Sequence, residues 1–288
     1  MKKIFYTALM ILLCLSLSGC GFFGFFGELF GKPTETTPPR NIVTDAEPEP
    51  YPVFIDGVEI KSSPSEIISL SPALSEILFE FGQGERLIGR STFCDYPREL
   101  LTMSDVAVIR GGIDLDVEMI SKLSPDLLLL SSPISEKDRI TLERAGVVTV
   151  VIPAPRNLDE FKNVYRIIGV ILYGGFIGAD EGETVFSDIT KTCNNPDALN
   201  IGDFIYITEN MSPATGDTLE SSVFSCFGKN LAGSSVGYVF DKELLLEKQP
   251  KIVILNDIYT IDDLLNESVY SQLDAVKEGR VILLSNVY

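Results

Sequence analysis

Apolar residues recur along this chain in two periods. Short, mostly apolar runs at Ile67–Leu70, Leu127–Leu130, Val147–Ile152, Phe204–Thr208, Ile252–Leu255 and Val281–Leu284 have the length and content of strands buried on both faces. Between them, Ala73 to Phe81, a segment around Glu136 to Ala145, and Leu158 to Leu172 show helical spacing; in the last, Phe161, Tyr165, Ile168 and Leu172 share one face. Ser71-Pro72 predicts an N-cap followed by proline at the first helical position, and Gly82 and Gly84 end that helix. Leu87-Ile88-Gly89 starts a further strand, and Val53 to Ile60 reads as a hairpin turning at Asp56-Gly57. Strands separated by helices predict mainly parallel sheets with helices on their faces, an α/β fold.

One unit of this pattern occurs twice. Asp116-Val117-Glu118 leads through Ile120 and Leu123 to Pro125 and the run Leu127–Leu130; Asp241-Lys242-Glu243 leads through Leu245 and Lys248 to Pro250 and Ile252–Leu255. Glu118 and Glu243 stand 125 positions apart. Each copy predicts a helix with Asp at its N-cap and Glu in its first turn, where an anion meets the positive end of the helix dipole. Each helix stops before a proline, and a strand follows. Duplication at this spacing predicts two similar Rossmann-like lobes with a ligand cleft between them. The stretch from Leu158 to Thr192, interrupted by Gly174, Gly175 and Gly178, predicts a long bridging helix between the lobes.

The first residues do not follow these periods. Lys2 and Lys3 precede an apolar run from Ile4 to Leu17, then Leu17-Ser18-Gly19-Cys20: a basic start, an apolar segment short for a membrane span, and small residues at a cleavage point. The cysteine after Leu-Ser-Gly resembles the bacterial lipobox, which implies lipidation at Cys20 and a protein anchored outside the cytoplasmic membrane. Phe22, Phe23, Phe25 and Phe26 come next, and Lys32 to Pro52 has the Pro, Thr and Glu content of an extended tether. The predicted organisation is therefore a signal peptide over 1–19; anchor, tether and hairpin over 20–64; an N-terminal lobe over 65–155; the bridging helix region over 156–195; and a C-terminal lobe over 196–288.

Charge and cysteines narrow the function. The formal charge of −18 becomes −20 without Lys2 and Lys3, and a surface this acidic repels nucleic acid. With Cys14 in the signal and Cys20 lipidated, Cys94, Cys193 and Cys226 remain; an odd number cannot all pair internally, and small buried hydrophobes are the default reading. The chain has no histidine, which removes Ser-His-Asp and Cys-His catalysis and disfavours direct metal-ion binding. No Walker-type phosphate loop or Gly-x-Ser-x-Gly elbow occurs. No catalytic residue and no resident cofactor is predicted.

Ile68-Ser69-Leu70-Ser71-Pro72-Ala73 with Ser75-Glu76-Ile77-Leu78, then Leu87-Ile88-Gly89, Cys94-Asp95-Tyr96-Pro97 and Gly111-Gly112, resembles the ABC-importer substrate-binding lipoproteins for cobalamin and iron–siderophore complexes, the helical-backbone class of periplasmic-binding proteins. Ala214-Thr215-Gly216-Asp217-Thr218, Gly233 and Pro250 to Ile254 continue the pattern, which covers roughly Glu66 to Tyr288. The resemblance implies two α/β lobes joined by a long helix, and ligand handed to a membrane permease that works with an ATPase. It places ligand contacts at Ser71, Pro72, Ala73, Phe93, Tyr96, Gly112, Ala214, Thr215, Gly216 and Tyr238. It assigns permease docking to Glu118 and Glu243, through an arginine on each permease subunit; complementing the helix dipole is the alternative for both. Members run past the last strand into a terminal helix, so a chain ending at Tyr288 implies a C-terminal lobe without it.

The ligand stays open between two classes. A corrinoid such as cobalamin suits aromatic loops; Phe93, Tyr96 and Tyr238 stand at matching places, with Gly112, Ser131 and Ala214 where aromatics could stand. A ferric siderophore suits the cations Arg90, Arg98 and Arg110. The corrinoid is favoured by the Cys-Asp-Tyr-Pro run, whose plain alternative is a turn shaped by Asp95 and Pro97. Haem fits less well, since only Tyr or Met could ligate its iron. A reading of another class is a lipid-anchored signalling or scaffold protein on the same fold.

Overall fold

Four consecutive leucines, Leu127–Leu130, are all buried and form an interior strand of a five-stranded sheet, beside its central strand Ile67–Ser69. In a computed structural model the structure describes residues 50–191, 193, 200–256 and 258–284. They form two units: one built from 50–154 and 162–186, the other from 155–161 and the described residues from 187 to 284.

The first unit opens with the hairpin β1 (Val53–Ile55) and β2 (Val58–Ile60), antiparallel, with Asp56 and Gly57 both at positive φ as a tight turn requires. Its sheet contains β3 (Ile67–Ser69), β4 (Leu87–Ser91), β5 (Ala107–Ile109), β6 (Leu127–Leu130) and β7 (Val148–Val151) in the order β5-β4-β3-β6-β7, every pair parallel. Helices α1 (Pro72–Glu80), α2 (Arg98–Thr102), α3 (Val117–Leu123) and α4 (Glu136–Arg144) connect the strands. The order reverses beside β3, and loops leaving the carboxyl ends of strands at such a point are the usual ligand positions of open α/β sheets. The hairpin packs on this unit, since β2 meets β7 and Tyr51 donates to the Ile171 carbonyl at 2.7 Å.

Helices α5 (Leu158–Tyr173) and α6 (Gly175–Ile189) carry residues of both units. The glycines of this stretch are a turn and a packing seam. Gly174, at φ 81°, makes the turn. A Cβ on Gly169 would lie 2.0 Å from the Gly178 carbonyl oxygen, so only glycine permits the two helices to approach this closely. The predicted bridging helix is therefore a pair of helices turned at Gly174. Tyr165, fully buried, packs on Phe81 and Phe186 and donates to the Glu80 carboxylate.

The second unit holds β8 (Gly202–Ile207), β9 (Gly228–Asn230), β10 (Ile252–Asn256) and β11 (Val281–Leu284) in the order β11-β10-β8-β9, again all parallel. Short helices α7 (Leu219–Phe224), α8 (Leu244–Lys248), α9 (Ile261–Asn266) and α10 (Asp274–Lys277) cover it. Two apolar clusters line the sheet, one around Ile205, Leu255 and Tyr270, the other around Phe204, Tyr206 and Phe224.

The repeated unit occupies equivalent places. Ile120 and Leu245, also 125 apart, are both fully buried, and both helices end on a residue in left-handed conformation, Ser124 and Gln249, before the proline. The helix starts differ. Asp116 accepts from Met119 N at 3.1 Å as an N-cap, whereas Asp241 accepts from Glu243 N at 3.0 Å and Glu243 itself holds the N-cap position. The first hydrogen bonds of α8 span three residues, which tightens the turn and moves the helix start past Glu243. Ser71, predicted to cap α1, makes no side-chain cap; its carbonyl accepts from the Ser75 hydroxyl.

Candidate functional site: two loops at the strand ends

The loop after β4 projects an aromatic ring from a sealed base. Phe93 is 75% exposed, while its neighbour Cys94 is fully buried. The Cys94 thiol lies among hydroxyls: Ser75 donates to it at 3.3 Å, Ser91 is 3.2 Å away, and Ser75 also donates to Ser69 at 2.9 Å. The Ser91 hydroxyl accepts from Phe93 N at 3.1 Å, and Arg90 donates to the carbonyls of Ser91 and Cys94. These are buried polar groups with partners, so the loop is held in one shape and Phe93 is displayed without its own packing. Tyr96 is half-buried beyond it, ahead of Pro97 at the start of α2.

The loop after β9 displays Tyr238, 45% exposed and in left-handed conformation at φ 58°. A non-glycine residue there has to be held by its surroundings. Tyr238 N donates to the Thr215 hydroxyl at 3.0 Å, Thr215 donates to Asp217 at 2.6 Å, and the Asp217 carboxylate accepts from Gly237 N at 2.9 Å. The Thr215 hydroxyl and the Gly237 amide hold the Asp217 carboxyl below its ordinary range. Gly216 closes the arrangement: its N donates to the Ser235 carbonyl, and a Cβ would lie 2.0 Å from the Gly233 oxygen.

The other predicted ligand residues divide. Pro72 is half-buried and Ala73 exposed at the start of α1, after β3. Gly112 is exposed after β5 at φ 78°, a left-handed conformation that costs any side chain, aromatics included. Ser71 is buried, its carbonyl engaged by Ser69 and Ser75. Ala214 and Thr215 are both 0% exposed, so they support the Tyr238 loop instead of presenting side chains to a ligand. Sequence reasoning missed Asp217 and the serines around Cys94 as anchors; the hydroxyl run Ser69, Ser71, Ser75 and Ser91 was the available signal.

Glu118 and Glu243 are exposed and make no ion pair among the described residues. Arg110 pairs with Asp116 at 3.7 Å, and Arg90 is committed to its own loop. On α1, burial pushes the carboxyls of Glu76 and Glu80 up to about 7, with Glu80 and Asp95 adding like-charge repulsion on Glu76. Among the described residues, no group of three or more His, Cys, Asp and Glu is placed to hold a metal ion, and no helix is long and apolar enough to cross a membrane. A hollow of about 540 Å³ in the second unit, lined by Asp203, Lys229, Leu231 and Lys248 among others, includes none of the predicted ligand residues. Cys20 lies outside the described residues.

Residues 67–193 match the Peripla_BP_2 family of periplasmic binding proteins. A vitamin B12-binding protein of Pectobacterium carotovorum is 39% identical over 203 residues, 67% of this chain and 71% of that protein. The chain belongs to the ABC-importer substrate-binding proteins. An uncharacterized ABC transporter substrate-binding lipoprotein of Bacillus subtilis, YvrC, is 25% identical over 97% of this chain and 89% of its own length. Among solved structures, the periplasmic heme-binding protein RhuT of Roseiflexus superposes with a TM-score of 0.59 at 21% identity, covering 79% of this chain and 91% of the other, and shares its two-lobe α/β fold. The substrate-binding family is one of transport proteins, not enzymes, and the strand-end loops are where such a protein has exposed side chains on fixed backbone.

Proposed function

We propose that this substrate-binding protein is an extracytoplasmic lipoprotein, anchored through Cys20, that captures a corrinoid such as cobalamin and delivers it to an ABC permease. The observation that carries the ligand class is Phe93, an exposed ring on a loop held by a buried Ser–Cys cluster. A planar, amphipathic ligand gains contact area from such a ring at little entropy cost. Tyr238, held by Thr215 and Asp217, offers a second ring, and Tyr96, Pro72, Ala73, Gly112 and Gly216 are the remaining contacts of this reading. The Arg90 hydrogen bonds to its own loop withdraw one cation from an anionic ferric siderophore; Arg98 and Arg110 stay exposed, Arg110 beside Asp116 at 3.7 Å.

Glu118 in the first turn of α3 and Glu243 at the N-cap of α8, both exposed and without an ion pair among the described residues, are the docking groups for the permease. A desolvated Glu–Arg pair at an interface contributes more than the ~0.2–1 kcal/mol of an exposed pair. The double change Glu118→Gln, Glu243→Gln is expected to keep ligand affinity and melting temperature and to reduce corrinoid uptake and ATPase stimulation. Normal uptake by the double variant removes the docking assignment. Cys20→Ala is expected to release the protein from membranes; fatty-acid labelling that persists in this variant contradicts the anchor.

A further inference from the structure

Two of the three remaining cysteines meet in the second unit. Cys193 and Cys226 both pack against the cluster of Phe204, Tyr206 and Phe224, where each thiol perturbs the other and the Cys226 thiol also faces the Ser222 carbonyl at 4.0 Å. Each sits just past a helix end: Cys193 N donates to the Thr190 carbonyl after α6, and Cys226 N to the Val223 carbonyl after α7. The chain returns beside the same point, since Ile201 N donates to the Phe227 carbonyl at 2.8 Å. The third thiol, Cys94, belongs to the other unit and is enclosed by Ser75 and Ser91.

We propose that Cys193 and Cys226 form a disulfide in the mature protein, tying the end of α6 to the end of α7 while Cys94 stays reduced. The inference rests on the extracytoplasmic location, where oxidising conditions let disulfides persist. The oxidant is a protein or small-molecule disulfide, attacked in two exchanges. The Cys226 thiolate attacks one sulfur of that disulfide, forming a mixed disulfide and expelling one thiolate. Cys193 sulfur then attacks Cys226 sulfur and expels the second. The protons of the two cysteines end on the two released thiols, so the pair loses two electrons and the oxidant gains them. The asymmetry of the pair favours this order: the mutual perturbation lowers the Cys226 thiol to about 7 and raises that of Cys193, so Cys226 is the thiol ionised near neutral pH.

The test uses the full chain, oxidised with glutathione disulfide, quenched in acid, alkylated under denaturing conditions and mapped by peptide mass spectrometry. The expected product is a cross-linked peptide pair joining Cys193 to Cys226, with Cys94 alkylated. In the same protein, reduction is expected to lower the melting temperature by about 5–15 °C, as for a closed loop of this size. The double variant Cys193→Ser, Cys226→Ser is expected to be insensitive to reductant. Free Cys193 and Cys226 after oxidation, or a cross-link through Cys94, overturns the proposal. Because oxidation is done on purified protein, its failure is distinct from failure of the location, which membrane fractionation of the Cys20→Ala variant reads.

Discussion

The loops that display Phe93 and Tyr238 are held by opposite means. The first rests mainly on hydroxyls and a thiol sealed below it, with Arg90 donating to two of its carbonyls; the second on an exposed carboxylate that holds the Gly237 amide and a buried threonine. A sealed neutral anchor depends on shape and on each buried polar group keeping its partner. An exposed ionic anchor depends on solvent, salt and pH, and is individually weak. The two rings therefore differ in how firmly they are preorganised, with Phe93 the more rigid.

The largest effect belongs where no adjustment is open. Gly216→Ala sets a methyl group against the Gly233 carbonyl, and is expected to cost about 2–4 kcal/mol in chemical unfolding of the second unit, and to loosen Tyr238. A wild-type midpoint would show that Gly216 and the Gly233 carbonyl are not in contact as described. Ser75→Ala is next: it removes the donor shared by Ser69, the Ser71 carbonyl and Cys94, and should cost about 1–3 kcal/mol. If Phe93 fluorinated at the ring shows no broadening in its NMR line in that variant, the cluster is not what orders the loop.

Acid should separate the units. Glu76 and Glu80 have folded pKa values near 7, above the 4.5 of an ordinary glutamate, so the folded first unit binds more protons between those values. Their cost is absent below about pH 4.5 and grows as pH rises to 7, so the first unit is expected to gain about 1–3 kcal/mol of stability on going from pH 7.5 to 5. Glu76→Gln should flatten that gain, and an unchanged slope would contradict the assignment. Asp217 has the opposite sign: its carboxyl is depressed, so its contribution holds above the unfolded value and is lost only in stronger acid. Asp217→Asn should have the smallest effect, visible as faster proteolysis near Gly237 with the midpoint of unfolding preserved.

Much of the fold was legible because long apolar runs admit few alternatives. Leu127–Leu130 and Ile252–Leu255 could only be interior strands, and the proline-terminated helices before them marked the repeat. Short elements such as Ala107–Ile109 and Gly228–Asn230 left no period to read, since three residues are held by neighbours alone. The glycines of 169–182 were ambiguous for a related reason: a break and a close helix contact call for the same residue, and only the partner surface distinguishes them. At the loops, exposed aromatics were visible in sequence, but their supports were not, because Ser75 and Cys94 are 19 positions apart and Thr215 and Tyr238 are 23. Ala214 and Thr215 matched a motif whose first residues turned out to be the floor of the loop.

The most direct test of the account is calorimetric titration of the purified protein with cobalamin, a ferric hydroxamate and haem, repeated for Phe93→Ala. The account predicts cobalamin as the tightest of the three and a loss of roughly 1–3 kcal/mol in its affinity when the Phe93 ring is removed. Tighter binding of either other ligand, or cobalamin affinity unchanged by Phe93→Ala, would contradict it.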